Sequence, residues 1–441
     1  RKLSYYGRAN YSYKNRYTFQ FTFRADAADL SILSRKNRWG YFPAVSAGWT
    51  VSNEDWFPRD IPVEYVKFRA SWGQNGSTSS LSNYSYATTI ATTATGYSFD
   101  GSGYTVSATT TGLSNEDLKW ETSEQLDFGL DLRFLQSRLS VGIDWYDKKT
   151  KDLILSSGIT VPAGAGANAP VMNGGAVSNR GWEFELSWKD TVGELGYNIS
   201  ANFSTLRNRV TEIHRTVPRY TANSLQNYGD LTAFEVGHPV WYLWTYHCTG
   251  IDPETGEAMI EDTNKDGQIT VEDKIEAGSG LPDYQYGITA SLNWRNWDFR
   301  IFGQGVGGNQ IFRATGPYQQ NNIKYFYDRT WTPEKKTTAT MSPMNISNYS
   351  YYVVSDAYVF DADFFKIKQI QLGYSLPKKI CSKISISSLR FSVSLEDWFN
   401  FTPYKAGMDP SISANNTTGM GVDYGAYPNY KKTMFGVNIT F

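Results

Sequence analysis

The chain runs to 441 residues, with 42 Lys and Arg against 43 Asp and Glu and a formal net charge of -1, so it offers no basic excess for a nucleic-acid partner. Its mean hydropathy of -0.45 and its lack of any apolar run of roughly 20 residues exclude a bundle of membrane helices. A β-barrel stays open, because only alternate strand residues face lipid there, and the 16% aromatic content, with 31 Tyr and 14 Trp, suits a wall that meets lipid headgroups.

Arg1 opens directly into a strand-like pattern with no signal peptide before it, so the start of the gene product is expected upstream. The dominant signal is strict alternation over segments of about ten residues, the pattern of transmembrane barrel strands. Tyr5, Gly7, Ala9, Tyr11 and Tyr13 alternate with Tyr6, Arg8, Asn10 and Ser12. After a short turn at 14–16, Tyr17, Phe19, Phe21 and Phe23 alternate with Thr18, Gln20, Thr22 and Arg24. The pattern returns at 66–72, 125–133, 182–188, 197–203 and 284–294. In a soluble sandwich the aromatic face would pack on a second sheet; in a porin-like barrel it meets lipid and the charged face lines water. Phe365 and Ile367 fall out of phase with Ile370, Leu372 and Tyr374, which predicts a bulge. Phe435, Val437, Ile439 and Phe441 share the face of a last strand, and the terminal Phe441 resembles the signal read by barrel-assembly machinery.

Outer-membrane barrels have short periplasmic turns and long outer loops. Short connections lie at 14–16, 135–138, 190–195 and 295–296; long ones lie near 76–118, 150–178, 208–238, 263–283, 307–362 and 400–430. Alternation of long and short ends then calls for a strand of its own near 256–262, after a turn at Asp252-Pro253. With it the count is about 15 strands, the first and the last both running downward.

Catalytic chemistry is hard to find. His214, His238 and His247 lack zinc-site spacing, and Cys248 and Cys381, far apart in sequence, are too few for a disulfide framework and read as unpaired or buried thiols. Glu183 and Glu185 share a strand face and read as polar lumen wall. The glycine-rich run 303–308 has no helix after it, so it reads as a strand end and not a phosphate cradle. Tyr318, Tyr325, Phe326, Tyr327 and Trp331 lie in a long loop, where rings can stack on sugars, grip peptide side chains or simply pack the loop. Of these, Tyr318, Tyr325, Tyr327 and Trp331 are the candidate ligand contacts.

One stretch has metal-ligand spacing. Asp262, Asn264 and Asp266 stand at positions one, three and five of an EF-hand-type loop, Gly267 at six, Gln268 at seven with its backbone carbonyl, and Asp273 at twelve. Asp273 is shorter than the usual Glu, and the flank at 258–261 reads as strand. A structural Ca²⁺ is one expectation; the other is a turn held by Asn and Asp side chains that bond nearby backbone amides.

Several phrases resemble the SusC/RagA family of TonB-dependent outer-membrane transporters. They include Tyr6-Gly7-Arg8-Ala9-Asn10-Tyr11, the run from Asn37 to Trp49, the run from Phe68 to Gly76, and Leu118-Lys119-Trp120-Glu121. Asn179-Arg180-Gly181-Trp182-Glu183, the glycine run with Asn309, Trp331-Thr332-Pro333-Glu334 and the run from Ile370 to Pro377 follow in the family's order. One departure is Glu396-Asp397-Trp398-Phe399, where the family more often has an Asn-Leu pair. The resemblance implies an all-β fold: 1–441 would be the C-terminal part of an antiparallel transmembrane β-barrel of 22 strands, with about seven strands and the plug domain upstream. It implies an outer-membrane location in a Gram-negative bacterium, no enzyme activity, and import of oligosaccharides or peptides. The partners would be a SusD-like surface lipoprotein, TonB–ExbB–ExbD reached through the plug, outer-membrane lipid and the oligomeric nutrient, with no nucleic acid. The alternatives are a non-transporting surface barrel, acting as adhesin or enzyme-docking platform, and a passive porin.

Overall fold

The computed structural model describes residues 2–97, 101, 105–156, 170–215, 217–315, 323–411 and 417–441. Its main feature is a 14-stranded antiparallel sheet. The strands are β1 (Leu3–Tyr13), β2 (Tyr17–Ala27), β3 (Trp39–Thr50), β4 (Val63–Ser77), β5 (Glu121–Phe134), β6 (Leu139–Lys151) and β7 (Gly175–Val192). They continue as β8 (Leu195–Thr205), β9 (Arg207–Ile213), β10 (Tyr284–Trp294), β11 (Trp297–Gly307), β12 (Phe364–Ser375), β13 (Ser388–Phe401) and β14 (Lys432–Thr440). The strands pair in chain order except that β9 lies beyond β8 along the same edge of β7, and β8 pairs onward with β10. The order ends at β1 and β14 with no pairing between them among the described residues, so the sheet is open.

Register turns the alternation of single strands into two continuous faces. Phe19 pairs with Ala47, Ala47 with Ala70, Ala70 with Phe128, and Phe128 with Trp145, all on the apolar side. A slip of one residue anywhere would send a charged row into that side. On the other face Arg69 reaches across β5 to Asp131 at 2.9 Å and to Asp144 on β6 at 2.9 Å. Gly129 makes room for it, since a Cβ there would lie 2.3 Å from Asp144 Oδ1 and 2.6 Å from Arg69 Cζ.

The turns at one end are tight. Lys14 and Asn15 have φ of 49° and 53°, the paired left-handed geometry that suits a hairpin to strand twist. The expected bulge is present: register shifts between Ile367 and Gln369 against both neighbouring strands. Against β11 Lys368 is the extra residue; against β13 Asp397 and Trp398 together stand opposite it, and Lys368 pairs with Asp397. Asp397 has φ of 56°. The departure at 396–399 therefore has a structural meaning that the sequence did not disclose.

The expected wall strand near 256–262 is corrected. Ala258–Ile260 is a strand, but it pairs with Cys248–Ile251 in a separate hairpin whose turn is at Asp252. Asp252 Oδ1 accepts from Glu254 N at 2.7 Å and Thr255 N at 3.0 Å. Three residues are too few to cross a bilayer, which takes about nine to eleven, and Ala258 is buried in a loop core instead. The whole stretch 214–283 is one excursion at the long-loop end. Long and short ends alternate without the extra strand because β8 and β9 count as a single stave.

Candidate functional site

Among the described residues the long-loop end holds four separate hydrophobic clusters, two of them sizeable. The smaller of these two gathers Ala28, Leu33, Phe42, Leu81, Leu118, Trp120 and Ile154, from loops beside β2 to β7. The larger combines three excursions: Leu231, Leu243 and Tyr246 from 214–283, Phe312, Tyr352 and Val354 from 308–363, and Tyr404 and Val422 from 402–431. Burying such side chains contributes about 1.5–3 kcal/mol each. This is why stretches of chain this long hold a defined shape outside the wall.

Polar contacts sew the three excursions together. Tyr246 N donates to Val354 O at 3.1 Å and Phe312 N to Gly421 O at 2.7 Å. Gln310–Arg313 runs parallel to Val422–Asp423. Gly280 and Gly421 approach so closely that a Cβ on Gly280 would lie 2.4 Å from Gly421 N. His247 Nδ1 meets Asp356 Oδ2 at 2.5 Å, and Cys248 N donates to Asp356 Oδ1 at 2.8 Å. At the rim, the buried Lys366 of β12 bonds both oxygens of Asp409, at 2.6 and 2.7 Å, which anchors 402–431 to the wall.

Burial sets the electrostatics of this cap. Lys274 lies 4.8 Å over the Trp244 ring and 5.3 Å over Tyr246, and donates to Asp230 O at 2.6 Å. Burial pulls its ammonium down to about 8. Tyr349 is pushed up to about 12 by burial, and burial drives Tyr352 and Tyr404 upward too. The Cys248 thiol is also raised by burial, the opposite of what a reactive thiolate needs. Cys248 and Cys381 are both free, as expected of two cysteines that make no framework.

The loop aromatics divide. Trp331 donates its Nε1 to Pro253 O at 2.9 Å and packs over Gly256. Tyr325 packs edge-on to Phe326 and Phe360, with the Arg329 guanidinium 3.9 Å over its ring. Both therefore serve the cap's own packing. Tyr327 is 73% exposed, the most open of the described three, with Lys335 Nζ 5.1 Å from its ring. Tyr318 lies outside the described residues.

The 262–273 loop is tied mostly to itself. Asp262 accepts from the backbone of Lys265 and Gly267 at 2.7 and 2.8 Å, and Asp266 from Gln268 N at 2.8 Å. Asp273 is fully buried; its Oδ1 accepts from Thr263 N at 2.9 Å and its Oδ2 from Thr270 N at 2.7 Å. These amides, Thr270 first, hold its carboxyl below the usual range. Asp262, Asn264 and Asp266 keep the spacing a cation would use, whereas Asp273 spends both oxygens on the chain. Among the described residues no group of three or more His, Cys, Asp or Glu gathers to hold a metal. Phe441 follows β14 and is 88% exposed. Glu183 and Glu185 sit on the polar face, level with Asp144 and Gly142 of β6.

The shared core of the three excursions escaped sequence reasoning. Its signal was present in apolar runs that do not alternate, Tyr242–Tyr246 and the stretch ending Tyr352-Val353-Val354. Such runs fit burial on both sides, not a wall with one wet face.

The model of the TonB dependent receptor-like β-barrel family matches residues 1–258. The chain belongs to that family, with the outer-membrane location of its members. TonB-dependent receptor SusC of Bacteroides thetaiotaomicron is 28% identical over 468 residues, which cover 100% of this chain and 44% of SusC. TonB-dependent receptor P3 of Formosa agariphila is 27% identical over 469 residues, covering 100% of this chain and 45% of that protein. The RagAB peptide transporter shares the fold at a TM-score of 0.83 and 21% identity, over 100% of this chain and 47% of that one. The chain thus resembles SusC and RagA over its whole length and spans just under half of theirs. These relatives are named as receptors and transporters.

Proposed function

We propose that this chain is the C-terminal wall and cap of an importer that takes oligomeric nutrients, oligosaccharides or peptides, across the outer membrane with energy supplied through TonB. The observation that carries this reading is the pairing of a continuous apolar wall face with a cap in which three excursions of the long-loop end share one core. A wall alone would serve a passive pore; a cap built from three excursions is the kind of mouth an importer needs to select cargo. On this reading the long-loop end faces outward, Tyr327 contacts cargo, and a SusD-like lipoprotein covers the cap. The test is uptake by cells carrying the intact transporter, with defined oligosaccharides and defined peptides offered separately. Deleting the transporter or TonB should abolish uptake of one of the two classes. Uptake unchanged by either deletion, with loss only of surface attachment or of enzyme docking, would establish the non-transporting barrel instead.

A structural Ca²⁺ at 262–273 is a separate proposal. The positions of Asp262, Asn264, Asp266 and Gly267 speak for it, and the engagement of Asp273 by backbone amides speaks against it. Calcium titration of the intact transporter, followed by protease resistance of this loop, decides it: resistance that does not change at millimolar calcium removes the ion.

A further inference from the structure

The membrane-facing side of the wall is not evenly rough. One row across six strands reads Tyr11, Phe19, Ala47, Ala70, Phe128 and Trp145. Two small residues stand side by side in its middle, with rings on both flanks. The rows on either side are bulky at the same strands: Trp49 and Phe68 toward the short turns, Val45 and Trp72 toward the long loops. The outcome is a furrow made of two cavities of about 620 and 600 Å³ that share Phe19, Ala47 and Ala70.

Its walls are fixed in advance. Trp49 stacks on Tyr17 at 6.5 Å and leans on Phe68 at 6.2 Å. Trp49 Nε1 and Tyr17 OH both donate to Glu54 Oε1, at 2.9 and 2.6 Å, and Arg16 holds the other oxygen of Glu54 at 3.0 Å. Trp72 Nε1 donates to Glu124 Oε1 at 2.9 Å. The polar atoms of these three rings are thus satisfied within the chain, which leaves their apolar faces to an occupant. Size and apolar lining fall in the range of ligand sites.

We infer that this furrow holds one acyl chain of an outer-membrane lipid as a bound ligand, distinct from the exchanging lipid around it. The inference rests on the membrane reading of the wall. The occupant follows from continuity: the furrow opens onto the same apolar face that Phe21, Phe23, Phe184 and Phe203 extend on both sides, and that face is filled by lipid tails. A rigid-walled groove loses less ordering entropy on filling than a soft one, so the chain inside should leave more slowly than its neighbours.

The experiment is native mass spectrometry of the intact transporter extracted from its own outer membrane in mild detergent. Wild type should carry one retained lipid. Ala47→Phe, which fills the furrow, should lower the retained fraction about tenfold; Leu372→Phe, on the same face but far from the furrow, should not. As a second measurement, wild type placed in phosphatidylethanolamine vesicles with brominated tails should keep quenched tryptophan fluorescence after exchange into unbrominated vesicles. That measurement decides the matter if Ala47→Phe does not assemble. A wild type that reaches the outer membrane as a folded barrel but loses lipid as readily as Ala47→Phe, or whose quenching vanishes on exchange, overturns the furrow and leaves the membrane assignment standing. Failure of the wild type to reach the outer membrane overturns both.

Discussion

At the scale of single residues, the same spacing can serve two ends. Asp262, Asn264, Asp266 and Asp273 are spaced for a cation, and equally for a chain that bonds to itself. The sequence left the two open because both need short oxygen-bearing side chains at a glycine turn. Asp273 tips the balance, since its oxygens are taken by Thr263 and Thr270. Its carboxyl is depressed by those amides, so the stabilisation is present above the ordinary carboxylate range and lost as pH falls through the lowered value. Asp273→Ala should therefore open 263–270 to protease at neutral pH, and wild type should show the same opening only in acid. Lys274, its chain neighbour, works with the opposite sign. With a folded value of about 8 against an ordinary 10.5, the unfolded chain binds the extra proton between those limits, and cap stability should rise with pH there. Tyr349, raised to about 12 from 10.0, reverses the slope above pH 10 because the unfolded phenol ionises first. Protease resistance of the cap should thus peak near pH 10, and Lys274→Met should remove the rising limb.

At the scale of elements, wall strands were legible and loop strands were not. Alternation over about ten residues has few explanations besides a sheet with two unlike faces, and even the bulge at Ile367 showed as a broken phase. Ala258–Ile260 misled because the strand was inferred from the alternation of long and short ends, whereas the hairpin that claims it lies within one long excursion and depends on packing against distant chain. Trp331 misled for a related reason: a ring in a loop looks the same whether it faces ligand or Gly256. The bulge itself invites a test. Lys368 and Asp397 are both largely buried, at 26% and 16% side-chain exposure. Removing one should leave the other unpaired and cost about 1–3 kcal/mol. Lys368→Met with Asp397→Leu should cost less than either change alone, read as the urea midpoint of the refolded transporter.

For the molecule as a whole, two features set behaviour: the open edges and the common core. β1 and β14 each present a free edge in this chain, and unpaired edges recruit other strands. Expressed without the rest of its barrel, the 441-residue chain should aggregate and give no heat-resistant monomer on a gel. A compact heat-resistant species would show that it closes alone. Phe312 is fully buried where 308–363 meets 402–431. Phe312→Ala should cost the cap about 3–5 kcal/mol and raise hydrogen exchange in all three excursions together. The shared core has a consequence for how such a mouth can diversify. Chain segments that answer to one interior cannot be exchanged singly, because each carries part of its neighbours' lining. A graft of 308–363 from a relative should be tolerated only if 214–283 and 402–431 travel with it, so the heritable unit of specificity is the trio, scattered along the chain yet traded as one cassette.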